Sequence, residues 1–164
     1  MRLPIAIGAV LLISLGLNAP VMAQTPTQIV RATKKAAKSD LQQLKRNSQL
    51  WNQQNISNYR YTLTRSCFCT AEARGPVVVE VREGVTTVTS VATGETVDSQ
   101  LFKQYDTVPN LFNVVKEAIA SKASSLTVQY DSKLGYPTQI NIDYNSQIAD
   151  EELYLTIENF QVIP

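Results

Sequence analysis

The clearest pattern in the chain is a pair of alternating runs on either side of a polar turn, between residues 126 and 144. Apolar or aromatic side chains alternate with polar ones in Leu126–Tyr130, and Ile140, Ile142 and Tyr144 alternate in the same way after the turn. Period-two alternation is typical of a strand with one face in the core. The turn, Asp131–Pro137, contains a glycine for an unusual backbone angle and a proline that suits only the start or border of a strand. These features predict two antiparallel strands joined by a long hairpin.

The same kind of pattern predicts four further strands. Aromatic and apolar residues alternate with polar ones from Tyr59 to Leu63, which indicates a half-buried strand that reaches about Cys67. The next two strands form a hairpin around Glu83-Gly84, a pair of residues suited to a tight turn. A final strand begins near Glu152, with its apolar residues on one face. The predicted ranges are 77–82 and 85–91 for the hairpin, then 126–130, 138–144 and 152 onward.

Two stretches have the three- and four-residue spacing of an amphipathic helix. The first is expected to start at a cap on Ser39 or Asp40 and to carry its apolar stripe to Trp51. We expect this lone tryptophan to fill the space between helix and sheet. The second helix is predicted to start at Thr107, with Pro109 tolerated in its first turn, and to end near residues 121–124. Residues 94–106 are the least regular, and their apolar side chains are expected to pack on the core.

These elements predict an α+β domain in which one helix and three strands are followed by another helix and three strands. One helix on three strands buries too little apolar surface to stand alone. Two such units side by side would form a six-stranded antiparallel sheet with both helices on one face. The repeated order raises a tandem duplication as a hypothesis, although the halves share no convincing residue identity. The second face of the sheet, polar or partly aromatic, would then be open to a partner.

The N-terminal segment has the three parts of a secretory signal peptide. Arg2 supplies a positive charge, an apolar run extends from Ile5 to Leu17, and small residues precede a cleavage position after Ala23. The apolar run is shorter than the roughly 20 residues of a membrane-spanning helix, and a retained anchor is the alternative. We therefore predict a signal peptide over residues 1–23, a linker or frayed helical lead over 24–38, and a single α+β domain over 39–164.

The predicted mature chain has as many basic as acidic residues, but they are separated along it. Residues 31–46 contain six basic side chains against one Asp, whereas residues 139–164 contain five acids and no Lys or Arg. The basic segment would attract an anionic membrane surface or glycan, or would form a solvated helix face near its own acidic hairpin. Neither alternative involves nucleic acid, and no stable membrane insertion is expected after cleavage.

Cys67 and Cys69 are the only cysteines and are separated by one residue. An even number of cysteines in an exported chain favours a disulfide. Residues two apart in an extended strand lie about 6.6 Å apart, close to the upper limit of about 6.8 Å for a bridged pair. A bridge therefore requires a local curl of the strand end. The alternatives are free thiols, intermolecular pairing, and thiol–disulfide chemistry.

Candidate catalytic and metal-binding residues are few. The chain has no histidine, so the commonest general base and the usual activator of a Ser or Cys nucleophile are absent. Asp143 with Glu151 or Glu152 is the nearest pair of carboxylates for acid–base chemistry. A weak calcium site would use Asp143, Asn145 and Asp150, although the glycine and the final acid of a calcium-binding loop are missing. The alternative for both sets is solvated residues at the end of a polar loop, and we expect no cofactor.

Three short motifs occur together in the predicted domain. They are C-F-C at 67–69, Y-D-S-K-L-G-Y-P-T-Q-I-N-I-D at 130–143, and D-E-E at 150–152. In this combination the chain resembles an uncharacterised family, domain of unknown function 6174, whose members are secreted bacterial proteins and lipoproteins. The resemblance extends from about Leu41 to Phe160. It implies export and a shared fold, and it supplies no activity or substrate. The chain lacks the cysteine found at the cleavage site of lipoprotein members, which argues against a lipid anchor.

We therefore expect an exported, non-catalytic binding module of the periplasm or extracellular space, with an envelope or extracellular protein as its partner. The candidate contact residues are Tyr130, Asp131, Tyr136 and Pro137, because aromatic side chains on well-defined loops favour recognition. The alternative for the Tyr-Pro pair is a turn packed on its own core. Two other functions are kept open: an enzyme that uses the cysteines or the carboxylate pair of Asp143 and Glu152, and a weak calcium-binding domain.

Overall fold

The structure is a computed structural model that describes the backbone of residues 26–164 and the side chains of residues 36–164. Within these residues it contains two α-helices and six strands. The helices are α1 (Pro26–Gln53) and α2 (Val108–Ser121), and the strands are β1 (Tyr59–Ser66), β2 (Val77–Arg82), β3 (Val85–Ser90), β4 (Ser125–Tyr130), β5 (Pro137–Asp143) and β6 (Glu152–Val162). The predicted order of elements is confirmed. The predicted signal peptide lies outside the described residues.

All six strands form one antiparallel sheet in the order β3-β2-β1-β6-β5-β4. The register places Leu63 opposite both Val77 of β2 and Ile157 of β6, and Ile140 of β5 opposite Leu155 of β6. All five side chains are buried, so one face of the sheet is apolar across its width. Both helices pack on this face and complete a single core. The predicted α+β architecture, with two helices on one face, is confirmed.

Aromatic side chains fill the space between α1 and the sheet. Trp51 is 5% exposed and meets the rings of Tyr59, Tyr136 and Phe160 edge-on, with centroids 5.4 to 6.3 Å apart. Edge-to-face pairs at such distances add to the stabilisation that burial provides. The predicted role of the tryptophan as the filling between helix and sheet is therefore confirmed. The irregular segment before α2 also packs inward, because a short 3₁₀ turn at Ser99–Phe102 buries its phenylalanine completely.

Two details differ from the sequence predictions. The helix expected to start at Ser39 or Asp40 starts at Pro26, so the predicted linker or helical lead is helical from that residue onward. The physical reason is composition, because residues 26–38 contain three Ala and three Lys, which favour helix, and proline is well suited to a first helical turn. Tyr144, expected on the core face, follows the end of β5 and is exposed. Neither described helix combines the length and apolar character needed to cross a membrane.

The second face of the sheet is open and, as expected, polar with some aromatic character. Its central positions carry hydroxyl and amide side chains beside an exposed tyrosine: Thr62, Thr64, Thr156, Gln139, Asn141 and Tyr154. This composition follows from the alternation of the strands, since each neighbour of a core residue points the other way.

The element order repeats, but the two halves do not superpose. Each half runs across the sheet from its third strand to its first, as β3-β2-β1 and then β6-β5-β4. Corresponding strands run in opposite directions, because the neighbours β1 and β6 are antiparallel. A rotation that placed one half on the other would have to reverse the strand directions. Such a rotation would also reverse the order of the strands or move the helix to the other face of the sheet. The repeat is therefore one of element order and not of a single three-dimensional unit.

Candidate functional site

The two edge strands of the sheet differ in how their outer backbone is covered. The loop after β3 folds back along it, so that Ser90 N–H donates to the Glu95 carbonyl and Val97 N–H donates to the Val88 carbonyl, both at 2.9 Å. At the other end of the sheet, β5 is the only strand among residues 26–164 that pairs with β4. None of the loop and turn hydrogen bonds in the described part of the chain reaches Ser125–Tyr130. One row of backbone donors and acceptors on β4 is therefore left uncovered by the residues that the structure describes.

The sequence of β4 has none of the usual features that prevent an edge strand from pairing. It reads S-L-T-V-Q-Y, without charge and without proline. Natural edge strands commonly carry lysine, proline or inward-pointing charges that block the approach of another strand. The exposed edge of β4 is thus suited to accept a further strand.

A groove separates β4 from α1, which runs beside it. Asp40 and Leu126 line one part of it, and Arg46 and Asp131 line the other. The groove has two parts, of about 180 and 470 Å³, which share Val128 and Tyr130 on the strand. On the helix, the polar wall consists of Asp40, Gln43, Arg46 and Asn47. The half-buried apolar side chains of β4 form the floor.

The turn after β4 fixes its distance from α1. Asp131 organises this turn, because its side-chain Oδ1 accepts hydrogen bonds from the backbone N–H of Lys133 at 2.9 Å and of Leu134 at 2.7 Å. Gly135 then takes a left-handed φ of +82° and packs against the α1 backbone. A Cβ at this position would lie 2.5 Å from the carbonyl oxygen of Asn47, so any larger residue would push the helix away. The turn therefore sets the width of the groove.

Tyr130 is the largest side chain of the groove floor. Its ring stacks on Phe112 with centroids 6.4 Å apart. Burial raises the pKa of the Tyr130 hydroxyl to about 12, and the negative charge of Asp40 adds to this effect. Burial also raises the pKa of the Asp40 carboxyl. The phenol is therefore a neutral hydrogen-bond donor at physiological pH.

The four residues predicted to contact a partner divide into two pairs. Tyr130 and Asp131 line the groove. Tyr136 is 8% exposed and stacks on Phe160 with centroids 4.4 Å apart, and Pro137 is also buried. The last two residues were expected on an exposed loop, but the turn packs on its own core, the alternative given above. The physical reason is the aromatic cluster around Trp51, which takes up the ring of Tyr136.

The sulfur atoms of Cys67 and Cys69 lie at bonding distance, 2.00 Å, with Cα atoms 5.3 Å apart. The local curl that this requires is present, since Cys69 N–H donates to the Cys67 carbonyl at 2.9 Å. Phe68, between the two cysteines, is 81% exposed. Arg65 places its Nε 3.0 Å from the Cys67 sulfur. The loop is thus a closed turn at the surface with a cation against one sulfur.

The carboxylate and calcium candidates are only partly brought together. Asp143 stands directly opposite Glu152 across β5 and β6, and among the described residues its Oδ1 is buried without a hydrogen-bond partner. Asn145 Oδ1 already accepts the Gln147 N–H at 3.1 Å, and Asp150 is exposed. Within the described part of the chain, no three His, Cys, Asp or Glu side chains are grouped to hold a metal. Acid–base catalysis and calcium binding stay predictions.

Sequence reasoning missed the helix side of the groove and the role of Arg65. The sequence indicates a solvated helix face at Gln43, Arg46 and Asn47. Their position in the groove follows only from the path of α1 beside β4. Arg65 follows Tyr61 and Leu63 in the apolar phase of β1, and nothing in the sequence shows that its guanidinium contacts Cys67.

The fold defines a class: an α+β domain of two helices on a six-stranded antiparallel sheet, with a helix-flanked groove at its uncovered edge. The chain belongs to the family of unknown function DUF6174, which matches residues 43–162. The match includes the last eleven residues of α1, all of α2 and all six strands, and it confirms the resemblance noted from the sequence motifs. No match was found among curated proteins or among solved structures.

Proposed function

We propose that the protein is an exported, non-catalytic binding module of the periplasm or extracellular space, which holds a partner protein by an extended segment in the groove between α1 and β4. The uncovered edge of β4 carries this proposal. An extended peptide that joins a sheet edge gains main-chain hydrogen bonds along its length, while pockets for alternate side chains provide specificity.

The dimensions of the edge suit such a segment. β4 has six residues, so a peptide of similar length would form several backbone hydrogen bonds, each with a net value of about 0.5–1.5 kcal/mol. Alternate side chains of the peptide would enter the groove over Leu126, Val128 and Tyr130, and the others would face the polar side of the sheet. On the opposite wall, Gln43 and Arg46 can donate hydrogen bonds to the incoming segment.

Two features support export. The first is the predicted signal peptide over residues 1–23. The second is the Cys67–Cys69 bond, because disulfides form and persist in oxidising compartments outside the cytosol. The absence of histidine from the whole chain supports a non-catalytic role.

Site-specific photo-crosslinking of the full-length chain in its own host tests the proposal. A photoreactive amino acid replaces Gln43 on the helix wall or Thr127 on β4, and the control position is Thr87, exposed on the opposite edge strand. We expect covalent capture of the same partner from both groove positions and none from the control. Equal capture from all three positions, or none from any, would overturn the proposal.

A second variant tests strand addition directly. Thr127 is exposed on β4, so Thr127→Lys places a charge at the edge without entering the core. Crosslinking from Gln43 should be lost in this variant, while its thermal unfolding stays unchanged. Full crosslinking in Thr127→Lys would mean that the partner does not pair with β4.

A further inference from the structure

The guanidinium of Arg65 is held against one sulfur of the disulfide. Its Nε donates to Cys67 Sγ at 3.0 Å, and its Nη1 donates to the Leu101 carbonyl at 3.1 Å. The guanidinium carbon lies 6.0 Å from the ring centroid of Phe102 and 5.4 Å from that of Tyr105. Because hydrogen bonds and aromatic rings both fix this side chain, the cation cannot easily leave the sulfur.

Among residues 36–164, whose side chains are described, no cation donates to the neighbouring sulfur. Arg74 is the other arginine of the loop, and its guanidinium donates to the backbone carbonyl of Cys69 at 2.9 and 3.2 Å instead of to the sulfur. Both cysteines are half-buried, and the phenyl group between them projects into solvent. The disulfide therefore lies at the surface, and within the described part of the chain a guanidinium contacts the sulfur of Cys67 but not that of Cys69.

We propose that Cys67–Cys69 is a thiol–disulfide exchange site for a dithiol partner, in which Cys69 Sγ is attacked and Cys67 leaves as a thiolate held by Arg65. Exchange proceeds faster when the leaving sulfur is better stabilised as an anion. A charge-assisted hydrogen bond from a fixed guanidinium provides this stabilisation at one sulfur. Phe68 offers an apolar contact for the partner beside the attacked bond.

The exchange balances in two steps. A thiolate of the partner attacks Cys69 Sγ, which forms a mixed disulfide and breaks the bond to Cys67, whose thiolate receives the electron pair. The second thiolate of the partner then attacks the partner's own sulfur in the mixed disulfide and releases the Cys69 thiolate. Two electrons pass from the dithiol to the Cys67–Cys69 bond, and the partner becomes the disulfide. The site follows the end of β1, which β6 and β5 separate from β4, and is independent of the groove.

The first test measures the rate at which dithiothreitol reduces the disulfide in the oxidised full-length protein, followed by alkylation and mass spectrometry. Arg65→Gln should slow reduction by about three- to tenfold, since it removes a charged hydrogen bond to the leaving sulfur. Arg65→Lys should restore part of the rate because it keeps the charge. Arg74→Gln is the matched control and should react as the wild type does. An unchanged rate in Arg65→Gln, or equal slowing in Arg74→Gln, would overturn the proposal.

The second test separates this role from a structural one. In Cys69→Ser the remaining thiol lies beside Arg65, whereas in Cys67→Ser it does not. The pH at which half of the thiol reacts with iodoacetamide should be lower in Cys69→Ser than in Cys67→Ser, and adding Arg65→Gln should remove the difference. Circular dichroism checks that each variant is folded. Equal midpoints in two folded single-cysteine variants would show that Arg65 only shapes the loop.

Discussion

Replacing Gly135 by alanine tests how the turn after β4 and the helix α1 determine each other's position. The glycine has a left-handed φ of +82°, and an alanine there is destabilising by about 1–2 kcal/mol through backbone strain alone. The new Cβ would also lie 2.5 Å from the Asn47 carbonyl oxygen and 3.2 Å from the Trp51 nitrogen, both backbone atoms of α1. These atoms cannot rotate away as a flexible side chain could, so the helix must shift. Overpacking of this kind costs a further 1–3 kcal/mol or so.

The expected loss in Gly135→Ala is therefore about 2–5 kcal/mol, a large part of the roughly 5–15 kcal/mol of a typical domain. Gly84→Ala is the matched control, because Gly84 has a similar φ of +78° but no described atom within 4 Å of the added Cβ. The control should lose only the strain energy of about 1–2 kcal/mol. Urea unfolding measures both losses, and the comparison requires that the m-values of the two variants equal that of the wild type. If the two variants lose the same stability, the close contact between the turn and α1 does not constrain the fold.

Three further predictions concern the core, alkaline pH and the N-terminus. Trp51→Ala should lower the free energy of unfolding by about 3–5 kcal/mol, whereas Phe68→Ala should change it by less than about 0.5 kcal/mol because that ring is solvated; similar losses in urea would contradict this contrast. The pKa of Tyr130 is about 12 in the folded protein and about 10 when unfolded. The unfolded state therefore binds fewer protons between these values, and stability should fall by up to about 2 kcal/mol as pH rises through them. Tyr130→Phe should remove this part of the fall. If the free energy of unfolding, measured with urea at about pH 9 and about pH 11, falls equally in the wild type and in Tyr130→Phe, the prediction is wrong. Mass spectrometry of the protein purified from its host should find Gln24 as the first residue; a chain beginning at Met1 would contradict signal-peptide cleavage.

Most of the fold could be predicted because alternation and helical spacing are local properties. Every predicted strand is present within one or two residues of its expected limits, and Thr107 caps α2 through its side chain as its sequence context indicates. The pairing of β1 with β6 could not be read in the same way, since these strands lie about ninety residues apart along the chain. Only the mutual burial of Leu63 and Ile157 in the folded core shows that the two halves join there.

The site was less predictable than the fold because it depends on contacts between distant elements. Asp131 and Gly135 stand out in the sequence as turn residues, but their second role, fixing α1, needs the helix to pass within contact distance. The choice between an exposed and a packed Tyr136 stays open in the sequence for the same reason. An aromatic residue in a polar turn is ambiguous until its stacking partner is known, and Phe160 comes from the far end of β6.

The two edges of the sheet are covered differently, since a loop pairs with β3 and none of the described loops pairs with β4. This difference favours the binding of a partner segment over the shielding of β4 as the role of α1. If the helix only protected β4 from other strands, it would be expected to pack closely along that edge, as the loop at Glu95–Val97 does along β3. Instead the helix is held apart from the strand by the turn at Gly135, which leaves open spaces of about 180 and 470 Å³ beside the uncovered backbone. A bound water takes up only about 30 Å³. Spaces of this size beside free donors and acceptors are large enough for peptide side chains, and an extended segment would satisfy the backbone of β4 while filling them.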